Sequence, residues 1–105
     1  MDEAQFNAAA EAMLGRIERA LDGCESALDY EVRPGGVLEL EFTDGSKIIV
    51  NRHTAAREIW VAARSGGFHF KAEGDLWVDT RDGRELLAAL SAMASQQAGQ
   101  PVELR

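Results

Sequence analysis

Eight of the chain's eighteen acidic side chains fall within the first 31 residues, against two bases, Arg16 and Arg19. Four of the eight are Glu11, Glu18, Asp22 and Glu25. At about 100° of turn per helical residue they share a sector of roughly 60° beside, not within, the apolar side of the helix. Asp29 and Glu31 follow on an alternating segment and are expected to carry the row across the next turn. Carboxylates with no interleaved histidine or thiolate are hard oxygen ligands, suited to Fe2+, Fe3+, Mn2+, Co2+ or Ca2+ and poorly suited to zinc or copper. Nothing in the spacing encloses an ion, so binding is expected to be weak and unselective, with one divalent cation able to replace another. The same residues also read as a solvated helix face with no ligand.

Trp60 is the second group of interest. Alternation in its segment sends Ile59, Val61 and Ala63 one way and Trp60, Ala62 and Arg64 the other. Trp60 would then stand on an open sheet face with Ile49 and Asn51, where an exposed tryptophan anchors a partner; the alternative is a tryptophan covered by neighbouring strands. Trp77 is expected in the core. His53, placed in a loop, and His69, on a strand, have no carboxylate or thiolate at a metal-binding spacing and read as surface residues. No nucleophile elbow, phosphate loop, dinucleotide fingerprint or zinc-protease motif is present, and no enzyme is expected.

These residues must be held by a small structure. A chain of 105 residues with 46% hydrophobic and 28% charged residues is expected to form a single domain, residues 1–105. The net charge of −7 opposes binding to nucleic acid or to an anionic membrane surface. No apolar run approaches the ~20 residues of a membrane span. The acidic start, Met1-Asp2-Glu3, does not read as a secretory signal. The lone Cys24 fits a reducing compartment, so a cytoplasmic protein is expected.

Phe6, Ala10, Met13, Ile17, Leu21 and Cys24 recur at spacings of three and four, predicting a helix from about Ala4 to a stop at Gly23. Leu28 to Val32 alternates as a strand and ends in the turn Pro34-Gly35-Gly36. Val37–Phe42 and Lys47–Asn51 flank Asp44-Gly45 as a hairpin. A three-residue loop, Thr43-Asp44-Gly45, groups the apolar residues: it pairs Leu40 with Ile48, Leu38 with Val50 and, on the other face, Glu41 with Lys47. Strands follow at Glu58–Ala63, Phe68–Lys71 and Leu76–Asp79. After Asp82-Gly83 a second helix runs to about Gln97 on a stripe of Leu86, Leu90 and Met93, closed by Gly99 and Pro101. The expected fold class is α+β, a two-layer sandwich with terminal helices on one face of a six-stranded antiparallel sheet.

Several stretches together resemble the bacterial frataxin (CyaY) family across essentially the whole chain. They are Gly35-Gly36-Val37-Leu38, Gly45-Ser46-Lys47-Ile48-Ile49-Val50-Asn51-Arg52, Ile59-Trp60-Val61-Ala62, Gly66-Gly67-Phe68-His69-Phe70, Trp77, Leu86-Leu87 and Gln96-Gln97-Ala98-Gly99. The resemblance implies a frataxin-like fold and an iron-binding accessory protein of iron–sulfur cluster assembly. Such a protein binds the cysteine desulfurase, modulates cluster formation and is proposed to deliver iron. It implies weakly held Fe2+ or Fe3+ at Glu11, Glu18, Asp22, Glu25, Asp29 and Glu31. Partner contacts would fall at Glu18, Asp22, Asn51 and Trp60, with the scaffold protein as a second partner, and the chain would be a monomer. Arg19 and Gly23 stand where relatives often carry acids, so the ridge should hold fewer ions, and His53 stands where a glutamine is common. The alternative reading is a ferroxidase acting on Fe2+ at the ridge, for which the carboxylates offer neither an enclosed dinuclear cage nor histidine.

Overall fold

Asp2 opens the first helix with a reciprocal cap: its carboxylate accepts the Gln5 N–H at 2.8 Å and the Gln5 side chain accepts the Asp2 N–H at 2.9 Å. The computed structural model describes residues 1–105. From this cap α1 runs over Glu3–Leu21 and buries Phe6, Ala10, Met13, Ile17 and Leu21, together with Leu14, which the expected stripe left out. Asp22 caps the other end, so the helix stops short of Gly23. Gly23 does not take the left-handed conformation of a glycine stop. The chain leaves instead through tight turns, with the Cys24 N–H on Leu21 O at 2.9 Å and the Ala27 N–H on Cys24 O at 3.0 Å.

Six strands follow in chain order, each antiparallel to the next: β1 Leu28–Arg33, β2 Val37–Phe42, β3 Lys47–His53, β4 Glu58–Ala63, β5 Gly66–Glu73 and β6 Leu76–Asp79. The β2–β3 register is the expected one, Leu38 opposite Val50, Leu40 opposite Ile48 and Glu41 opposite Lys47. Gly45, at φ +86°, supplies the left-handed residue that the three-residue loop requires. Two strands are longer than their side-chain pattern suggests, because ladder bonding extends past the apolar residues. β3 continues to His53, opposite Glu58, and β5 takes in Gly66 and Gly67, expected as turn, opposite Ala63 and Ala62.

The pleat sends Leu38, Leu40, Ile48, Val50, Ile59, Val61 and Phe70 into the layer beneath the helices, where all are buried. Helix α2, Leu86–Ala98, adds Leu86, Leu87, Leu90 and Met93 to this core and ends at Gly99 in the left-handed conformation. Trp77 is buried and meets Phe6 edge to face at 6.0 Å, as a core tryptophan should. The tail folds back over α2: Val102 and Leu104 are buried, and the hydroxyls of Ser95 and Ser91 accept their N–H groups at 2.8 and 2.9 Å. The architecture is the expected α+β sandwich. No helix is long and apolar enough to cross a membrane.

Candidate functional site

The edge strand β1 runs beside the C-terminal half of α1, and this junction collects the acidic residues. Glu11 and Glu18 stand on α1, Asp22 is its C-cap and Glu25 lies in the following turn. None of the four forms an ion pair. Tyr30 reaches from the helix-facing side of β1 and donates its phenol O–H to Asp22 Oδ1 at 2.5 Å. That bond, then desolvation and the charges of Asp22, Glu18 and Glu25, push the Tyr30 phenol up to about 12. Three carboxylates therefore share one neighbourhood around a single hydroxyl. They also sit at the negative end of the α1 dipole, which raises the local attraction for cations. Cys24 adds no thiolate, because burial and then the Glu25 charge hold its thiol above the usual range.

Asp29 and Glu31 stand elsewhere. On β1 it is Tyr30 that faces α1, so its neighbours in sequence point to the opposite, open side of the sheet. There they join Glu39 and Glu41, their register partners, around a basin of about 300 Å3. Arg33 bonds Glu39 at 2.6 Å and Glu31 at 3.2 Å, and Lys47 Nζ bonds Glu39 at 3.3 Å. Those bonds, Arg33 first, hold the Glu39 carboxyl below its usual range. Lys47 thus takes the diagonal Glu39 rather than Glu41 across from it, and Asp29 and Glu41 face each other without a base. The six expected carboxylates form two groups, one on each side of the same sheet edge. No group of three acids, histidines or cysteines is disposed to hold a metal ion.

On the open face Asn51 lies directly opposite Trp60, and Trp60 is half-buried. Its indole is sandwiched between two imidazoles, His53 at 3.8 Å and 11°, and His69 at 4.3 Å and 8°. Glu58 Oε1 accepts the Trp60 Nε1–H at 2.8 Å and lies 3.6 Å from His69 Nδ1. The Ala56 N–H donates to His53 Nδ1 at 3.2 Å. Read as separate surface residues, the histidines gave no sign of this stack. The signal was the register, which sets His69 opposite Trp60 and His53 opposite Glu58, diagonal to Trp60 on the same face. Arg64 is not part of this group, since its guanidinium pairs with Asp44 in the β2–β3 loop at 2.5 Å.

Together these features define a two-layer α+β protein with a carboxylate-lined helix–strand edge and an aromatic open sheet face. Residues 1–100 match the family model described as Frataxin-like domain. The iron–sulfur cluster assembly protein CyaY of Dechloromonas aromatica is 61% identical over 105 residues, covering 100% of both chains. The frataxin of Psychromonas ingrahamii superposes with a TM-score of 0.90 at 30% identity, over 100% of this chain and 99% of that one. A trimeric frataxin from the yeast Saccharomyces cerevisiae, described as complexed with ferrous, shares the fold with a TM-score of 0.75 at 23% identity, covering 88% of this chain and 87% of that one. The chain belongs to the frataxin family.

Proposed function

We propose that this protein is an iron-binding accessory factor of iron–sulfur cluster assembly, a cytoplasmic monomer that binds the cysteine desulfurase and modulates cluster formation rather than catalysing a reaction itself. The observation that carries the reading is the set of unpaired carboxylates, Glu18, Asp22 and Glu25, converging on Tyr30 at the end of α1. Unpaired like charges at a helix C-terminus destabilise the free protein and are relieved by a cation or by a basic partner surface. The names of relatives, and the ferrous complex of the yeast protein, support iron as the cargo. Carboxylates that gather in one neighbourhood without closing a coordination cage suit an ion that is held loosely and handed on. In this reading Glu11, Glu18, Asp22 and Glu25 attract iron on the helix side, and Asp29 and Glu31 extend the field on the sheet side. Asn51 and Trp60 form a second docking face, which suits the scaffold protein.

The test is a triple charge reversal, Glu18→Lys with Asp22→Lys and Glu25→Lys. Calorimetry with the cognate cysteine desulfurase should show binding lost while circular dichroism shows the domain folded. Unchanged affinity would overturn the reading. A parallel titration with Co2+ or Fe2+ should broaden the NMR signals of Glu18, Asp22 and Glu25 first.

A further inference from the structure

Arg52 projects from β3 toward the helix layer, where it is half-buried. It forms no ion pair and no side-chain hydrogen bond, whereas the other half-buried arginine, Arg57, donates to Thr54 O. Its guanidinium lies across Gly36, so closely that a Cβ at Gly36 would stand 3.2 Å from Nη2 and 3.3 Å from Cζ and Nε. Gly36, also left-handed at φ +75°, therefore keeps open the place that the guanidinium occupies. Arg52 forms one end of a groove of about 240 Å3 between α1 and the β1–β2 corner. The helix wall of this groove is Glu11, Leu14 and Glu18, spaced along one stripe, and Val32, 54% exposed, supplies an apolar surface.

The groove thus brings together two unpaired carboxylates, an unpaired guanidinium and exposed apolar surface, with neither sign neutralised by the other: Arg52 is in no ion pair with Glu11 or Glu18. We propose that it docks a protein segment in which a basic side chain and a carboxylate flank an apolar one. The base meets Glu11 and Glu18, the apolar side chain covers Val32 and Leu14, and the carboxylate takes the planar fork of Arg52. A uniformly basic surface, which the ridge alone would attract, meets like charge at Arg52. Arg52 therefore selects among basic partners and sets their register. The groove shares Glu18 with the ridge but is not lined by Asp22 or Glu25, and its test uses peptides alone, so its failure and that of the desulfurase reading are distinguishable.

The experiment is NMR titration of the labelled protein with acetyl-Lys-Leu-Glu-amide, with acetyl-Lys-Leu-Gln-amide as the comparison. The first peptide should shift the amides of Glu11, Leu14, Glu18 and Val32 and the Nε–H of Arg52. The second should bind about fivefold more weakly, the worth of one partly solvated charged pair. Arg52→Gln should erase the difference between the peptides, and Arg52→Lys, which keeps the charge without the fork, should leave part of it. Equal affinity of the two peptides for the unaltered protein would overturn the proposal. So would a difference that survives Arg52→Gln in a folded variant, or the lack of any response in the groove.

Discussion

The phenol of Tyr30 and the carboxylate of Asp22 meet at 2.5 Å and tie the edge strand to the end of α1. The bond places a spectroscopic reporter inside the acidic ridge, because a neutral phenol donates to an anion and resists ionisation while the anion is there. Tyr30 is the chain's single tyrosine, so phenolate absorbance reads this site alone.

Tyr30 should titrate at about 12, and Asp22→Asn should bring it down toward the ordinary phenol value near 10. The folded value is the raised one, so the bond's contribution to stability is complete below about pH 10 and is lost as pH climbs toward 12. Saturating Co2+ should act like the substitution, because a cation on Asp22 withdraws the acceptor. A midpoint near 10 in the unaltered protein, or one that Asp22→Asn leaves in place, would show that the ridge field does not reach the phenol.

Trp60 holds the open face together, stacked by His53 and His69 and anchored by Glu58. Trp60→Ala removes two stacked contacts from a half-buried site, and urea unfolding should show a loss of about 1–2 kcal/mol. Under the proposed function, which puts the charged contact at the ridge, desulfurase binding should survive. A loss above about 4 kcal/mol, the scale of a fully buried aromatic, would place Trp60 in the core instead.

Element order, hairpin register and the core were legible because apolar spacing and loop glycines report on them directly, as Leu38 opposite Val50 and the left-handed Gly45 show. The ridge was half legible. Helical periodicity grouped Glu18 with Asp22, but the pleat of β1 turned Asp29 and Glu31 away from them, since it is Tyr30 that faces α1. The contacts of Tyr30 and Arg52 and the stacking of the two histidines, read only as surface residues, were not legible because they depend on elements distant in sequence. Only the sheet register sets His69 against Trp60, and only the approach of the β1–β2 corner lays Arg52 over Gly36.

Gln97, 5% exposed on α2, staples the helix to two hairpins. Its carbonyl accepts the Arg64 N–H at 3.0 Å, and its amide donates to Ser46 Oγ at 3.0 Å and Lys47 O at 3.2 Å. Gln97→Leu keeps the apolar bulk but strands a backbone donor and a backbone acceptor. Thermal unfolding should report a loss of about 2–3 kcal/mol, and a near-neutral result would mean that water reaches both groups.

Asp44 links the hairpin loop to the end of β4. It accepts the Ser46 N–H at 2.9 Å and pairs with Arg64, and hydrogen bonds from Ser46 and then Arg64 hold its carboxyl well below the usual carboxylate range. The folded value is therefore the depressed one. The resulting stability is present above the unfolded value of about 4 and is lost as pH falls below it. Asp44→Asn keeps the shape and the loop but gives up the charge. It should be less stable than the unaltered protein at neutral pH, and the gap should begin to close as the pH drops below about 4, where the carboxyl of the unfolded chain takes up its proton while the folded one stays ionised. Because the pair is exposed to solvent, added salt should narrow the gap at neutral pH as well. Urea unfolding of both proteins across this range measures it, and a gap that stays constant with pH would assign the difference to the amide's weaker acceptance of the Ser46 N–H rather than to the charge.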